Sequence, residues 1–307
     1  AFLAAEVASA IGESGSVTIN QADAEQWHDV QFEREYLNPV VILGPASRAG
    51  GQPMTLRVRE VTSEGFQWQM DEWSYLDGSH ITETVGYVVV EAGTHTLDNG
   101  ATLVAGTTKV GEAFQKVDLE SFDAAPIVLT QISTVEDPTA AVTRVRSVTA
   151  DGFEVRVQEE EANTNDHPPE VVGYIAIDVG SGVTGDSNFE VAATTDSVTH
   201  RNTTIEFEQT FSSAPVFIAG MQTTDGGDPA TVRYRTLEGG SATIFIEEEQ
   251  SLDRERWHTT EVVGYFAIEA GLIYAASDTG EPPVDPPLEE PTVIDGVLYG
   301  TKQDDPT

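Results

Sequence analysis

Of the 307 residues only 15 are basic, and six of those form three Arg-x-Arg pairs: Arg57/Arg59, Arg144/Arg146 and Arg233/Arg235. Alternate residues of a strand share a face, so each pair sets two guanidinium groups side by side. After each pair the chain turns and returns through carboxylates: Asp71-Glu72, Glu159-Glu160 and Glu247-Glu248-Glu249. Two chemistries fit. One is cross-strand ion pairing, worth roughly 0.2–1 kcal/mol per pair. The other is capture of a carboxylate or a sugar hydroxyl by the rigid guanidinium fork. A second set is His80/Glu83, His167/Glu170 and His258/Glu261, each followed by a tyrosine, Tyr87, Tyr174 or Tyr265. Histidine with carboxylates suits a divalent ion. On an extended segment, however, positions i and i+3 point to opposite faces, which favours a structural hydrogen bond from the histidine. A further possibility sets the three histidines about a pseudo-threefold axis.

The elements that carry these residues recur. His-x-x-Glu-x-Val-Gly-Tyr begins at His80, His167 and His258, at spacings of 87 and 91 residues, and self-similarity of this kind marks a tandem repeat. Each copy reads as a strand closed by glycine. The face carrying Val88 and Val90 reads as core. The opposite face, with Tyr87, Tyr174 and Tyr265 between two carboxylates, suits contact with another domain. Upstream, Val30–Leu43 holds Pro39 between two apolar runs, and Thr55–Val61 and Phe66–Trp73 form a hairpin about Thr62–Gly65. In that hairpin parity places Trp68 inside and Trp73 outside. With about six short strands per unit and no helix, the expectation is all-β: three tandem antiparallel sandwiches.

The units run over residues 14–93, 101–180 and 188–271. Residues 1–13 lie outside the repeat as a short helix or an extra strand. The seven- or eight-residue links allow neighbouring domains to touch, either as a closed pseudo-trimer or as a row. Residues 281–307 hold a Pro-rich, semi-rigid linker and a C-terminal segment that is either the start of a further element or a strand for a neighbour's edge.

The formal charge is -37 and hydrophobic content is 39%. The apolar content supports real cores. The charge argues against a nucleic-acid partner and an anionic membrane surface by repulsion, and suits a saline setting where repulsion is screened. No apolar run is long enough to span a membrane. The absence of cysteine fits an extracellular bacterial protein and equally a cytosolic one.

In its order of motifs the chain resembles the H-type lectin family, the snail-agglutinin fold. The resemblance rests on Pro39-Val-Val, Arg57, Gly65-Phe66, Trp73 and Tyr87, with weaker copies in the other two repeats. It implies a six-stranded sandwich, a trimer with sugar sites near the subunit contacts, and a preference for N-acetylgalactosamine-like ligands. Arg57 then matches the sugar-binding arginine and Trp73 the sugar-facing tryptophan, with Arg59 and Tyr75 beside them. Arg144 and Arg233 remain in the other units, but Glu160 and Glu249 stand at the tryptophan position, so at most one full site is implied. The segment Val293–Asp305 resembles the lead-in to glycine-aspartate calcium repeats of exported bacterial proteins, which makes calcium the possible cofactor. The expected function is non-catalytic glycan binding and adhesion outside the cell. The alternative is a structural subunit of a filament or surface layer that pairs with itself. No nucleophile or acid–base set stands apart from the repeat, so an enzyme is not expected.

Overall fold

The structure is a computed structural model that describes residues 10–276, together with short strands at 293–294 and 297–298. The readings of residues 1–9 and of the Pro-rich linker fall outside the described residues. Among the described residues there is no helix, and every strand pairing but one is antiparallel.

The first unit contains β1 (Ala10–Gln21), β2 (His28–Gln31), β3 (Pro39–Ser47), β4 (Met54–Arg59), β5 (Gly65–Glu72) and β6 (His80–Glu91). Next come β7 (Gly93–Thr96), then β8 (Thr102–Val110), β9 (Gln115–Asp118), β10 (Ile127–Ile132), β11 (Ala141–Thr149), β12 (Gly152–Glu159) and β13 (Glu170–Ile177). The third turn of the repeat is β14 (Gly180–Thr184), β15 (Ser187–Ala193), β16 (Thr203–Glu206), β17 (Val216–Met221), β18 (Ala230–Leu237), β19 (Ser241–Glu248), β20 (Val263–Ile268) and β21 (Gly271–Tyr274). Each unit is a sandwich of an inner and an outer sheet. The inner sheets are β3-β6-β1-β21, β10-β13-β8-β7 and β17-β20-β15-β14, and the outer ones β2-β5-β4, β9-β12-β11 and β16-β19-β18. One outer sheet joins a neighbouring inner sheet, because β18 runs parallel to β3 at Arg233 and Tyr234.

The links between units are not loops. After its last strand each unit sends a short strand into the sheet of the next: β7 pairs with β8 and β14 with β15. The third such strand, β21, pairs with β1. Ala10 and Tyr274, near the two ends of the described chain, are register partners. The chain therefore closes on itself, and residues 10–13 belong to the first strand of the ring.

Both faces of the closing strand are buried, and the face assignment read from parity is reversed. Val85 and Val89, with Tyr87 packed beside them, belong to the core inside the first sandwich, alongside Trp68, Phe66 and Met70. Val88 and Val90 face the other way. They join a central core with Ile42, Leu129, Ile175, Phe189, Ile218 and Phe266, drawn from all three units. The Val-Gly-Tyr glycine sits on that central face, where a neighbouring unit presses against it. A Cβ at Gly86 would lie 3.2 Å from Val216, one at Gly173 3.2 Å from Val40, and one at Gly264 2.7 Å from Ile127. These contacts run in a ring, first unit to third, second to first, third to second. On the axis a cavity of about 110 Å³ remains, bounded by Ile42, Leu129 and Ile218 and by Thr55, Val142 and Thr231.

A core shared by three units couples their unfolding. A single calorimetric transition is expected, with van't Hoff and calorimetric enthalpies equal. Phe266→Ala in the central core should lower that one transition by about 3–5 kcal/mol rather than split it. Separate transitions for the units would contradict the closed ring.

Candidate functional site

The first arginine of each pair and the three His/Glu sets meet at the junctions between units. Arg57, Arg144 and Arg233 are at most 1% exposed, and each reaches out of its own unit. Arg57 donates to the carbonyls of Thr139 (2.6 Å) and Asp137 (3.1 Å) in the second unit, with its Nη2 3.6 Å from Glu170. Arg144 donates to the carbonyls of Gly226 (2.9 Å) and Asp228 in the third, and to Glu261 at 3.4 Å. Arg233 closes the cycle on the first unit, donating to Ser47 O and to Glu83 at 3.2 Å. The strand that holds each arginine also faces a polar partner on its hairpin mate: Asp71 at 3.5 Å, Gln158 at 3.2 Å and Glu247 at 2.5 Å.

Behind each guanidinium lies a second relay. The glutamates Glu83, Glu170 and Glu261 are 1% exposed or less. Glu83 accepts from Ser47 Oγ, from the amides of Ala49 and Gly50, and from His80 Nε2 at 3.1 Å. Thr134 and Thr223 replace Ser47 in the other units, and their hydroxyls also accept the amides of Val171 and Val262. The far ring nitrogen, Nδ1, meets Glu72 (2.8 Å), Glu159 or Glu248 (2.7 Å). So the i and i+3 side chains do touch, against the expectation from strand parity. In the first unit the register of β6 against β1 slips between Glu83 and His80, which turns both side chains inward.

The electrostatics follow from these contacts. Burial would lower His80, His167 and His258, but hydrogen bonds to two carboxylates each outweigh it and raise all three above the usual 6.5. Burial would raise Glu83 and Glu261, but the histidine, hydroxyl and amide donors prevail and pull both to about 2. Glu170 is lowered by the same balance. Burial pulls Arg144 down to about 10, which leaves it charged at neutral pH. Each junction therefore lines up an arginine, a glutamate, a histidine and a second glutamate in sequence.

Arg57 and Trp73, the two centres of the sugar site implied by resemblance, are both buried. Arg57 is enclosed as described. Trp73, placed outside by parity, is 1% exposed and packs on Ala140 and Val142 of the second unit. Its counterparts Glu160 and Glu249 serve the same junctions: Glu160 accepts from Ser74 N (2.9 Å) and Glu249 from Glu161 N (3.0 Å). Arg59 is half-buried, stacks over Trp27 at 4.0 Å and donates to Gln67. Tyr75 is 41% exposed and lies against Glu249 and Gln250 of the third unit. Tyr87 and Tyr174 pack edge-on to Phe66 and Phe153 inside their own sandwiches, not on a neighbour.

The single group with metal-like spacing among the described residues is Asp137, Glu159 and His167, whose ligand atoms lie within 4.8 Å of one another. Both ring nitrogens of His167 are already taken by Glu159 and Glu170. His80 and His258 make the same pairings where Gly50 and Gly226 replace Asp137, so the set fits a histidine hydrogen-bonded at both ring nitrogens better than an ion. The sequence reading missed Ser47, Thr134 and Thr223, and also Arg48, which donates to Gly50 O, Gly51 O and Glu247 at the third junction. The three hydroxyls stand at one repeat position, which is the signal that would have found them.

No family model matches the chain, and membership of the H-type lectins is not confirmed. Over 283 residues the chain is 32% identical to halomucin of Haloquadratum walsbyi. The alignment takes in 88% of this chain and 3% of halomucin, so the chain spans a small part of that protein's length.

Two outcomes test the relay. Arg144→Ala leaves Glu261 buried with its guanidinium partner gone, and should lower stability by about 3–5 kcal/mol in urea unfolding; Arg144→Met with Glu261→Gln should recover part of it. The pH profile has a defined sign. The histidines, raised when folded, contribute fully below 6.5 and lose that contribution as pH rises through their folded values. The glutamates, lowered when folded, contribute above 4.5 and lose it as pH falls toward 2. Thermal unfolding followed against pH in strong salt should therefore peak between 4.5 and 6.5.

Proposed function

We propose that the chain is a non-catalytic, self-closed module of an extracellular or cell-surface protein, with a structural role. The observation that carries this reading is the use made of the chemistry. The first arginine of each pair, with the histidines and glutamates that the repeat preserves in triplicate, is spent on joining one unit to the next. Groups engaged in this way hold a shape and are not themselves available as acid, base or nucleophile for a substrate. The similarity to halomucin, a far longer protein, supports a module within a larger architecture. The charge of -37 supports a saline exterior and argues against nucleic acid and anionic membrane as partners.

Glycan binding through Arg57 and Trp73 is the finer reading that the motif order supports, and their burial weighs against it. A glycan array run beside Trp73→Ala separates the two. The structural reading expects that Trp73→Ala lowers stability by about 3–5 kcal/mol, as for other buried aromatics, and changes no glycan signal. Saturable binding of one sugar, lost in Trp73→Ala while the unfolding transition stays in place, would restore the lectin reading. Assembly is read on the same samples by light scattering: a monomer at all concentrations fits a module, and filaments would move the role to self-assembly.

A further inference from the structure

The third unit departs from the other two at the strand position that faces the repeated tyrosine. In the inner sheets Gly15 pairs with Tyr87 and Gly106 with Tyr174. Each tyrosine lies over its glycine, so that a Cβ at Gly15 would sit 2.5 Å from the Tyr87 hydroxyl and one at Gly106 2.6 Å from that of Tyr174. In the third unit the partner of Tyr265 is Ala192, and a real methyl occupies that space. Tyr265 is turned inward. It is 3% exposed, packs on Phe207 and Phe217, and its hydroxyl donates to Glu190 at 2.5 Å.

A second substitution accommodates the turn. In the first unit the corresponding carboxylate, Glu13, receives the Tyr36 hydroxyl at 3.2 Å. The counterpart of Tyr36 in the third unit is Phe211, which has no hydroxyl, so Tyr265 takes its place on Glu190. In the second unit Val104 stands where the carboxylate would be, and Tyr174 stays over Gly106.

Beside Tyr265, which forms part of its wall, the side of the sandwich is open. The groove there measures about 460 Å³ and lies between β15 and β16, within the range of roughly 300–1,000 Å³ typical of ligand pockets. Ala192, Ala193 and Val179 give it an apolar lining, and Glu190, Glu206 and Glu208 give it three carboxylates; no lysine or arginine lines it. Glu206 and Glu208 are exposed at the rim, and Glu190 is 3% exposed. No three of these carboxylates bring their oxygens within 4.8 Å of one another, whereas calcium asks for about six to eight converging oxygens. Negative charge spread around a small apolar floor suits an organic cation instead.

We propose that the groove of the third unit binds an alkylammonium group, the alkyl stem on Ala192 and Val179 and the ammonium among Glu190, Glu206 and Glu208. This stands independently of the structural role of the ring. The test is titration of n-butylammonium chloride into the full chain carrying labelled alanine methyls, followed by NMR. Sodium chloride at 1 M, where the screening length is about 3 Å, suppresses loose counterion binding to the acidic surface. Saturable shifts confined to Ala192 and its neighbours are expected. Glu206→Gln with Glu208→Gln, both at exposed positions, should weaken binding by at least about tenfold. Ala192→Gly, which lets Tyr265 return to the place of its sisters, should abolish it. Equal affinity for n-butanol, shifts that spread over all alanines without saturating, or an unchanged affinity in the double glutamine variant would each overturn the proposal.

Discussion

A guanidinium group taken out of water must find partners, because an unpaired buried charge is far more costly than any single contact can offset. In this molecule three arginines are taken out of water, and none of them finds its full set of partners at home. Arg57 has Asp71 beside it, but its two backbone acceptors are Thr139 and Asp137 of the following unit. The same holds for Arg144, and Arg233 turns the series back to the start. No single unit can satisfy its own interior, so the sandwich is complete only as a cycle of three.

The rest of the architecture is consistent with that dependence. Short strands cross from unit to unit, which brings the loops with the acceptor carbonyls alongside the arginines. The inner sheets turn their second face to the centre and bury it there. The Val-Gly-Tyr motif reads accordingly: valine and tyrosine fill the local sandwich, and glycine admits the neighbour's strand.

The all-β class and the tandem repeat were legible because alternation and a recurring motif are local properties. The direction of each face was not. Val88 and Val89 are equally apolar, and parity separates them without saying which side is the sandwich and which the centre. Trp73 was misplaced for a related reason: its position does face out of the hairpin, but Ala140 and Val142 of another unit cover it. The crossing strands passed for linkers because four residues such as Gly93–Thr96 carry no usable pattern and their partners lie in the next repeat. The His–Glu contact was hidden by a register slip that no periodicity announces. In each case the missing information was which unit sits next to which.

The pairing of Ala10 with Tyr274 sets how the molecule answers a pull. If tension reaches the body through its two ends, it acts on the same end of two adjacent antiparallel strands. Their bonds then open one pair at a time, as a zipper does, rather than all together as in shear. Such a body yields at its seam first: β21 peels from β1 while the cores beyond it are still whole. A string of bodies built this way would lengthen stepwise under drag and re-form when it slackens, behaving as a compliant tether made of stiff beads.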